Sequence, residues 1–183
     1  MTTTIIVAIV IVVLILVIVG IYNRLVGLRQ NCKQGAADID AGLRQRHDLV
    51  PNLVATVKGY AAHEQATFDR VISARAKATQ SGSPADEQEL SKAIGGLLAL
   101  GEAYPELKAS ANFQALQGEL ADVEDKLAAA RRAMNGAVSR YNAARESFPA
   151  VVFAAPLGFQ PAQFNELATD ERGTVGAVPD VQF

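Results

Sequence analysis

The chain has 183 residues, 50% of them hydrophobic and 20% charged, with two histidines, one cysteine, no tryptophan and a formal net charge of -2. That balance carries no mark of disorder, and without a basic block it excludes a dedicated nucleic-acid binder. Cys32 is alone, so an intramolecular disulfide and a Cys-based zinc site within one chain are excluded as well.

The first predicted element is a membrane span. Ile5 to Ile21 reads IIVAIVIVVLILVIVGI without a charge, and with Thr2 to Thr4 and Tyr22 it approaches the roughly 30 Å of bilayer hydrocarbon. Being apolar on every face, it cannot lie as an amphipathic surface helix, and a helix satisfies its own backbone as lipid demands. A cleaved signal peptide is the alternative, but no Lys or Arg precedes the apolar run and Ile18 to Asn23 offers no A-x-A-like site. Arg24, Arg29 and Lys33 follow the span before the first acid, Asp38, whereas only the α-amino group precedes it. Cationic flanks stay on the cytoplasmic side, so the domain is expected there; translocation of the whole domain is the alternative. The expected localisation is single-pass in a bacterial inner (cell) membrane.

From Leu25 onward Leu28, Cys32, Ala36, Ile39, Leu43, Val50, Leu53, Val57, Ala61, Phe68, Val71 and Ile72 recur at helical spacing. They predict a long amphipathic helix continuous with the span and running to about Ala78. Pro51 removes a backbone donor and crowds the preceding turn, which predicts a kink or short break near Asp48. Gln80 to Pro84 is turn chemistry, with Ser83 as N-cap and Pro84 in the first helical position of a second helix. Its stripe is Leu90, Ile94, Leu97, Leu98 and Gly101, and Tyr104 before Pro105 stops it.

A third helix starts at Ser110 or Asn112 and ends at Phe148 and Pro149. Phe113, Leu120, Leu127, Met134, Tyr141 and Phe148 form one heptad line, and Leu116, Val123, Ala130, Ala137 and Ala144 the other. Large residues on one line against small ones on the other favour close packing within an antiparallel bundle over a free two-stranded coiled coil. Gly35, Gly42 and Gly59 on the first helix, and Gly95 and Gly96 on the second, point to close helix contacts. Beyond Pro149 the apolar, turn-rich stretch to Phe159 precedes a segment, Pro161 to Leu167, that could make a short helix. Phe153, Phe159 and Phe164 either cap the bundle end or reach the membrane interface. The expected fold class is all-α, an N-terminal transmembrane helix followed by an antiparallel bundle of long helices. The boundaries are 1–22 for the span, 23–168 for the bundle and 169–183 for an extended tail.

The run from Asp38 to Glu64, DIDAGLRQRHDLVPNLVATVKGYAAHE, closely resembles the LemA family. Further matches are Ala103 to Ala109, Asn112 to Gln117, Ala130 to Arg132 with Asn135, Val138 to Asn142, Ser147 to Pro149, and the ending Val181 to Phe183. The resemblance covers nearly the whole chain. It implies a bacterial membrane protein with a bundle of long antiparallel helices and no established catalytic residues or cofactor. The family's links are to the cell envelope, to stress and, in a magnetosome relative, to internal membrane formation. Ala133 and Met134 stand where an aromatic pair is common, and Ala155 and Pro156 where a glycine is more usual.

The residues that invite a chemical reading are few. His47 with Asp48 and His63 with Glu64 are material for metal or acid-base chemistry, but the histidines are sixteen residues apart, about 24 Å along a straight helix. Neither pair fits H-E-x-x-H. Asp38, Asp40, Arg44, Arg46 and Asp48 read as a salt-bridged helix face, with Asp40 and Arg44 four apart, or as an interaction surface beside Pro51 and Asn52. Lys58 is a further network partner for the histidines. Tyr60, Tyr104 and Tyr141 read as buried with satisfied hydroxyls, and the resemblance adds Arg131 to the structural candidates. The expected function is a membrane-anchored scaffold or interaction protein, not an enzyme, without cofactor or metal. Its expected partners are the lipid bilayer, its own copies as a homo-oligomer and other membrane proteins, with no nucleic acid. A metal-dependent hydrolase using His47, Asp48, His63 or Glu64 and a ligand sensor near Pro51 are the alternatives.

Overall fold

The computed structural model describes residues 1–165, and among them every regular element is a helix: α1 (Thr2–Lys58), α2 (Gln65–Ser81), α3 (Pro84–Ala103), α4 (Pro105–Lys108), α5 (Ala111–Glu146) and α6 (Ala150–Ala154). The expected tail 169–183, the bundle boundary at 168 and the end of the expected Pro161–Leu167 helix lie outside the described residues. Residues 161–165 are not helical.

α1 is long and apolar enough at its N-terminal end to cross a membrane, and nothing among the described residues covers Ile5 to Val17. The helix does not break near Asp48. It passes through Pro51 and stops at Lys58, so the long first helix is divided at residues 59–64 instead. One proline deletes one donor, and an exposed proline whose freed carbonyl finds another partner is tolerated. The stop comes where bonding tightens to the third residue back: Gly59 N donates to Thr56 O at 3.3 Å and Tyr60 N to Val57 O at 3.0 Å.

α2 ends on Gly82, whose φ of 59° places it in the left-handed region and whose N–H donates to Ala78 O at 2.9 Å. Ser83 and Pro84 then act as expected, the Ser83 hydroxyl accepting from Asp86 N at 3.1 Å. Tyr104 is extended, as a residue before proline must be, but Pro105 opens the short α4, whose Leu107 is fully buried. α5 begins directly after Ser110. It stops at Glu146, two residues short of Phe148, so the last member of the heptad line falls off the buried stripe and is exposed.

The chain forms two compact units. The first comprises Met1–Ile39 and Ala128–Asn165, the second Asp40–Leu127. In the second, Val50, Leu53 and Val57 of α1 share a core with Phe68 and Val71 of α2, Leu90, Ile94 and Leu97 of α3, and Phe113, Leu116 and Leu120 of α5. Ile72, expected on that stripe, is exposed. In the first, Leu25 and Cys32 pack with Val138, Tyr141 and Ala144, closed by Ala150, Ala154 and Phe159. The glycines divide. A Cβ on Gly35 would lie 2.9 Å from Met134 Cβ and one on Gly42 2.7 Å from Leu127 Cδ2, so both mark close approach. Gly59 belongs to the turn, and Gly95 and Gly96 face open space, so close packing does not account for these three.

Candidate functional site

Arg46 lies seven residues from both Ile39 and Leu53, and Glu87 seven before Ile94, so each charge sits on an otherwise apolar stripe. Folding therefore carries them inward. Arg46 is only 1% exposed and pairs through Nη2 with Glu87 Oε2, while its Nη1 donates to Ser91 Oγ and to Glu124 Oε1, both at 2.8 Å. Ser91 passes the chain on to the Glu87 carbonyl at 3.1 Å. His47, also buried, places Nε2 2.9 Å from Glu87 Oε1 and 3.2 Å from Oε2. On the other side of the ring, Nδ1 lies 3.4 Å from Thr79 Oγ1 of α2. The network thus binds α1, α2, α3 and α5 inside the second unit. A buried charge pair of this kind barely offsets its own desolvation, yet losing one partner strands the other.

Pro51 joins the same network through the backbone. The N–H it lacks would have donated to the carbonyl of His47, four residues back, and that oxygen instead accepts from Arg75 Nε of α2 at 2.7 Å. The proline therefore converts an intrahelical acceptor into a tie between helices.

The mixed charges from Asp38 to Asp48 mostly do not form the salt-bridged face expected of them. Asp38 accepts from Gln34 at 2.8 Å, and Arg44 reaches the backbone carbonyl of Asp40, at 3.3 Å, instead of its carboxylate. Asp48, Asn52, Lys58 and Tyr60 are exposed, and Arg131 is half-buried. Tyr60 thus departs from its expected burial. His63 is exposed in the turn 59–64, whereas His47 is held by Glu87. Among the described residues no three His, Cys, Asp or Glu side chains are grouped to hold a metal ion. Glu64 instead accepts from the Tyr104 hydroxyl at 3.1 Å, and that bond holds the hydroxyl above its ordinary pKa because it is lost when the phenol gives up its proton.

A second polar array lies in the first unit. Asn142 exchanges two hydrogen bonds with the backbone of Ala162, both at 2.9 Å, and Asn135 two with that of Asn165, at 2.8 and 3.1 Å. Seven helical residues rise about 10.5 Å and three extended ones about 10 Å, so the two rungs fall in step. Tyr141 Oη donates to Gln160 O at 2.7 Å and Arg145 Nε to Phe159 O at 2.9 Å. As residue numbers fall along α5 they rise along the segment. Its backbone is satisfied by α5 side chains, which explains why 161–165 need no helix of their own. Phe159 is fully buried, with Tyr22 edge-on at 5.4 Å and Arg29 over its ring at 5.0 Å. A cavity of about 360 Å³ beside them is lined by Cys32, Met134, Val138 and Tyr141 among others. Burial pushes both the Cys32 thiol and the Tyr141 hydroxyl up, so both stay protonated near neutrality.

The sequence profile of the LemA family matches residues 35–183. The chain is also similar to the magnetosome protein MamQ of Magnetospirillum gryphiswaldense and to the magnetosome proteins MamQ 1 and MamQ 2 of Paramagnetospirillum magneticum. Each is 22% identical over 173 residues, covering 78% of this chain and 64% of the relative. The chain therefore matches somewhat less than two thirds of the length of these relatives.

Proposed function

We propose a scaffolding function for this chain, which belongs to the LemA family. Its N-terminal helix holds it in a bacterial inner membrane, and its helical domain, on the cytoplasmic side, binds further copies of itself and other membrane proteins. The observation that carries this reading is the use made of the polar residues. Arg46, Glu87 and His47 are the chemically versatile groups of the second unit; they are buried, Glu87 meets both of the others, and through Thr79 and Glu124 the network reaches four helices. Groups so engaged set the positions of helices and are not presented to a substrate. The unbroken course of α1 from Thr2 to Lys58 supports the same reading, since the segment suited to lipid and the segment carrying the network are one helix. Confinement to a surface raises effective concentration, so weak contacts between tethered copies are enough for assembly. Arg24, Arg29 and Lys33 support the cytoplasmic side.

The test is the particle mass of the full-length chain after gentle extraction and cross-linking. Particles of many copies, or of this chain with one recurrent membrane protein, are expected; a bare single chain at membrane-like concentration contradicts the proposal. Protease added to spheroplasts should spare the domain, and digestion there would place it on the opposite side.

A further inference from the structure

Gly35 packs on Met134 inside the first unit, where α1 and α5 run antiparallel. Fourteen residues back along α1 is Ile21, the last residue of the apolar run, and fourteen on from Met134 is Phe148. Equal rise of about 21 Å on both sides brings Phe148 to the level where the span ends. The packing agrees: Ile21 lies against the cluster that holds Ala150 and Ala154, and Tyr22 meets Phe159 edge-on.

At that level the chain exposes an apolar surface that the unit itself does not cover. Phe148 is 84% exposed, Val151 50%, Val152 57% and Leu157 39%, while Ala150 and Ala154 on the other side of α6 are buried. From Ser147 to Asn165 there is no charged residue. Arg24 and Arg29 follow the span on α1, while Arg145 and Glu146, paired at 3.5 Å, stand just before the turn on α5. Apolar residues beside the end of a span, with no charge among them and the cations Arg24 and Arg29 following the span itself, match the composition of the lipid headgroup boundary.

We infer that the turn and α6, from Phe148 to Leu157, are a second membrane contact: a wedge that sits in the headgroup region of the bilayer beside the span. Its occupant is lipid. The wedge fixes the first unit against the membrane surface, where the span alone leaves it free to turn about its axis. The inference rests on the reading of Ile5 to Ile21 as a span.

The chain contains no tryptophan, so single-tryptophan variants of the full-length protein in vesicles of mixed neutral and anionic phospholipid report depth directly. Phe148→Trp and Val152→Trp both replace exposed side chains, so two independent reporters guard against failure of one to fold. Ile11→Trp marks the span, and Ile72→Trp marks an exposed apolar position on α2. The wedge predicts blue-shifted emission at 148 and 152, lost to lipids brominated near the headgroup and shielded from aqueous iodide, with Ile72→Trp quenched by iodide. Iodide quenching at 148 and 152 equal to that at 72 overturns the wedge while leaving the span intact. Blue-shifted emission that brominated lipid does not quench also overturns it, because protein and not lipid then covers the patch. If Ile11→Trp escapes brominated acyl chains, the span itself is refuted and the proposed membrane anchoring falls with it.

Discussion

The two polar arrays solve the same problem with different chemistry. In the second unit, four helices are joined by a network centred on an Arg46–Glu87 charge pair that is buried on both sides. In the first, a segment without regular structure is joined to α5 by neutral amides, Asn135 and Asn142, each matching the donor and acceptor of one backbone residue. A charge pair is an all-or-none device: it adds little beyond an apolar pair while intact and costs heavily when halved. An amide rung is incremental, contributing about 1 kcal/mol for each bond made. The charge array therefore specifies which helices meet, and the amide array holds a segment in register.

Halving the charge pair should give the largest effect. Glu87→Ala takes the buried carboxylate from Arg46 and His47, leaving the half-exposed Glu124 as the remaining counter-charge of Arg46, and should lower unfolding free energy by about 3 kcal/mol in denaturant titrations of the detergent-solubilised chain. A loss below about 1 kcal/mol would remove the distinction between the two arrays.

The backbone tie is next. Arg75→Met strands the His47 carbonyl and should cost about 1–3 kcal/mol. Pro51→Ala restores the intrahelical donor, so the same Arg75 change should cost clearly less in that background. Additive effects in this double-mutant cycle would show that proline and arginine do not share the acceptor.

Asn142→Ala removes one amide rung, for a loss of about 2 kcal/mol, and should abolish exchange protection of the Ala162 amide while leaving the second unit's core protected. Retained protection at Ala162 would mean that the other contacts of the segment, from Asn135, Tyr141 and Arg145, hold it without the Asn142 rung.

The glycines sharpen the comparison at smaller cost. Gly35→Ala meets the backbone of Met134 and should destabilise by about 1–2 kcal/mol, whereas Gly95→Ala enters open space and should stabilise by about 0.5–1 kcal/mol. Equal signs in thermal melts would contradict the packing described for the first unit.

The smallest effect concerns the α3 cap. Hydrogen bonds from Ser81 and Ser83 hold the Asp86 carboxyl below its ordinary pKa of 3.8. A depressed pKa means that the contribution is present above the unfolded value and is lost as pH falls through the folded one. Wild type should therefore exceed Asp86→Ala slightly at pH 6, with the gap closing as the solution is acidified below about pH 4. A gap unchanged by acid would remove the carboxylate from the cap.

Much of the fold is legible in the residues. Ser83 with Pro84 marks a helix start by local chemistry alone, and the heptad lines from Phe113 to Tyr141 lie along the buried face of α5 because periodicity is a direct projection of burial. Helix ends are less legible. Pro51 is a strong local signal, yet α1 passes it, because the partner for His47 O comes from Arg75, twenty-eight residues on. The buried network is half visible in the sequence. Arg46 and His47 stand out, but chain proximity groups them with Asp38 and Asp40, whereas the decisive partner, Glu87, lies on another helix. The signal that could find it is a charge on an apolar stripe, shared by Arg46 and Glu87, because a stripe charge must find its opposite or stay unburied. Asn135 and Asn142 enter through family resemblance, and only the segment without regular structure beside α5 gives them a physical role.

The central claim is that the buried Arg46–Glu87 pair serves helix arrangement and not chemistry. Its most direct test is the double substitution Arg46→Met with Glu87→Leu, measured for unfolding free energy and for particle mass after extraction from membranes. The claim predicts stability well above that of Glu87→Ala and particles of unchanged mass, since apolar residues of similar volume often replace such pairs with little loss and the remaining cost is the His47 nitrogen that Glu87 no longer meets. A double variant as unstable as Glu87→Ala, or one that folds as stably as wild type but no longer forms wild-type particles, would contradict it.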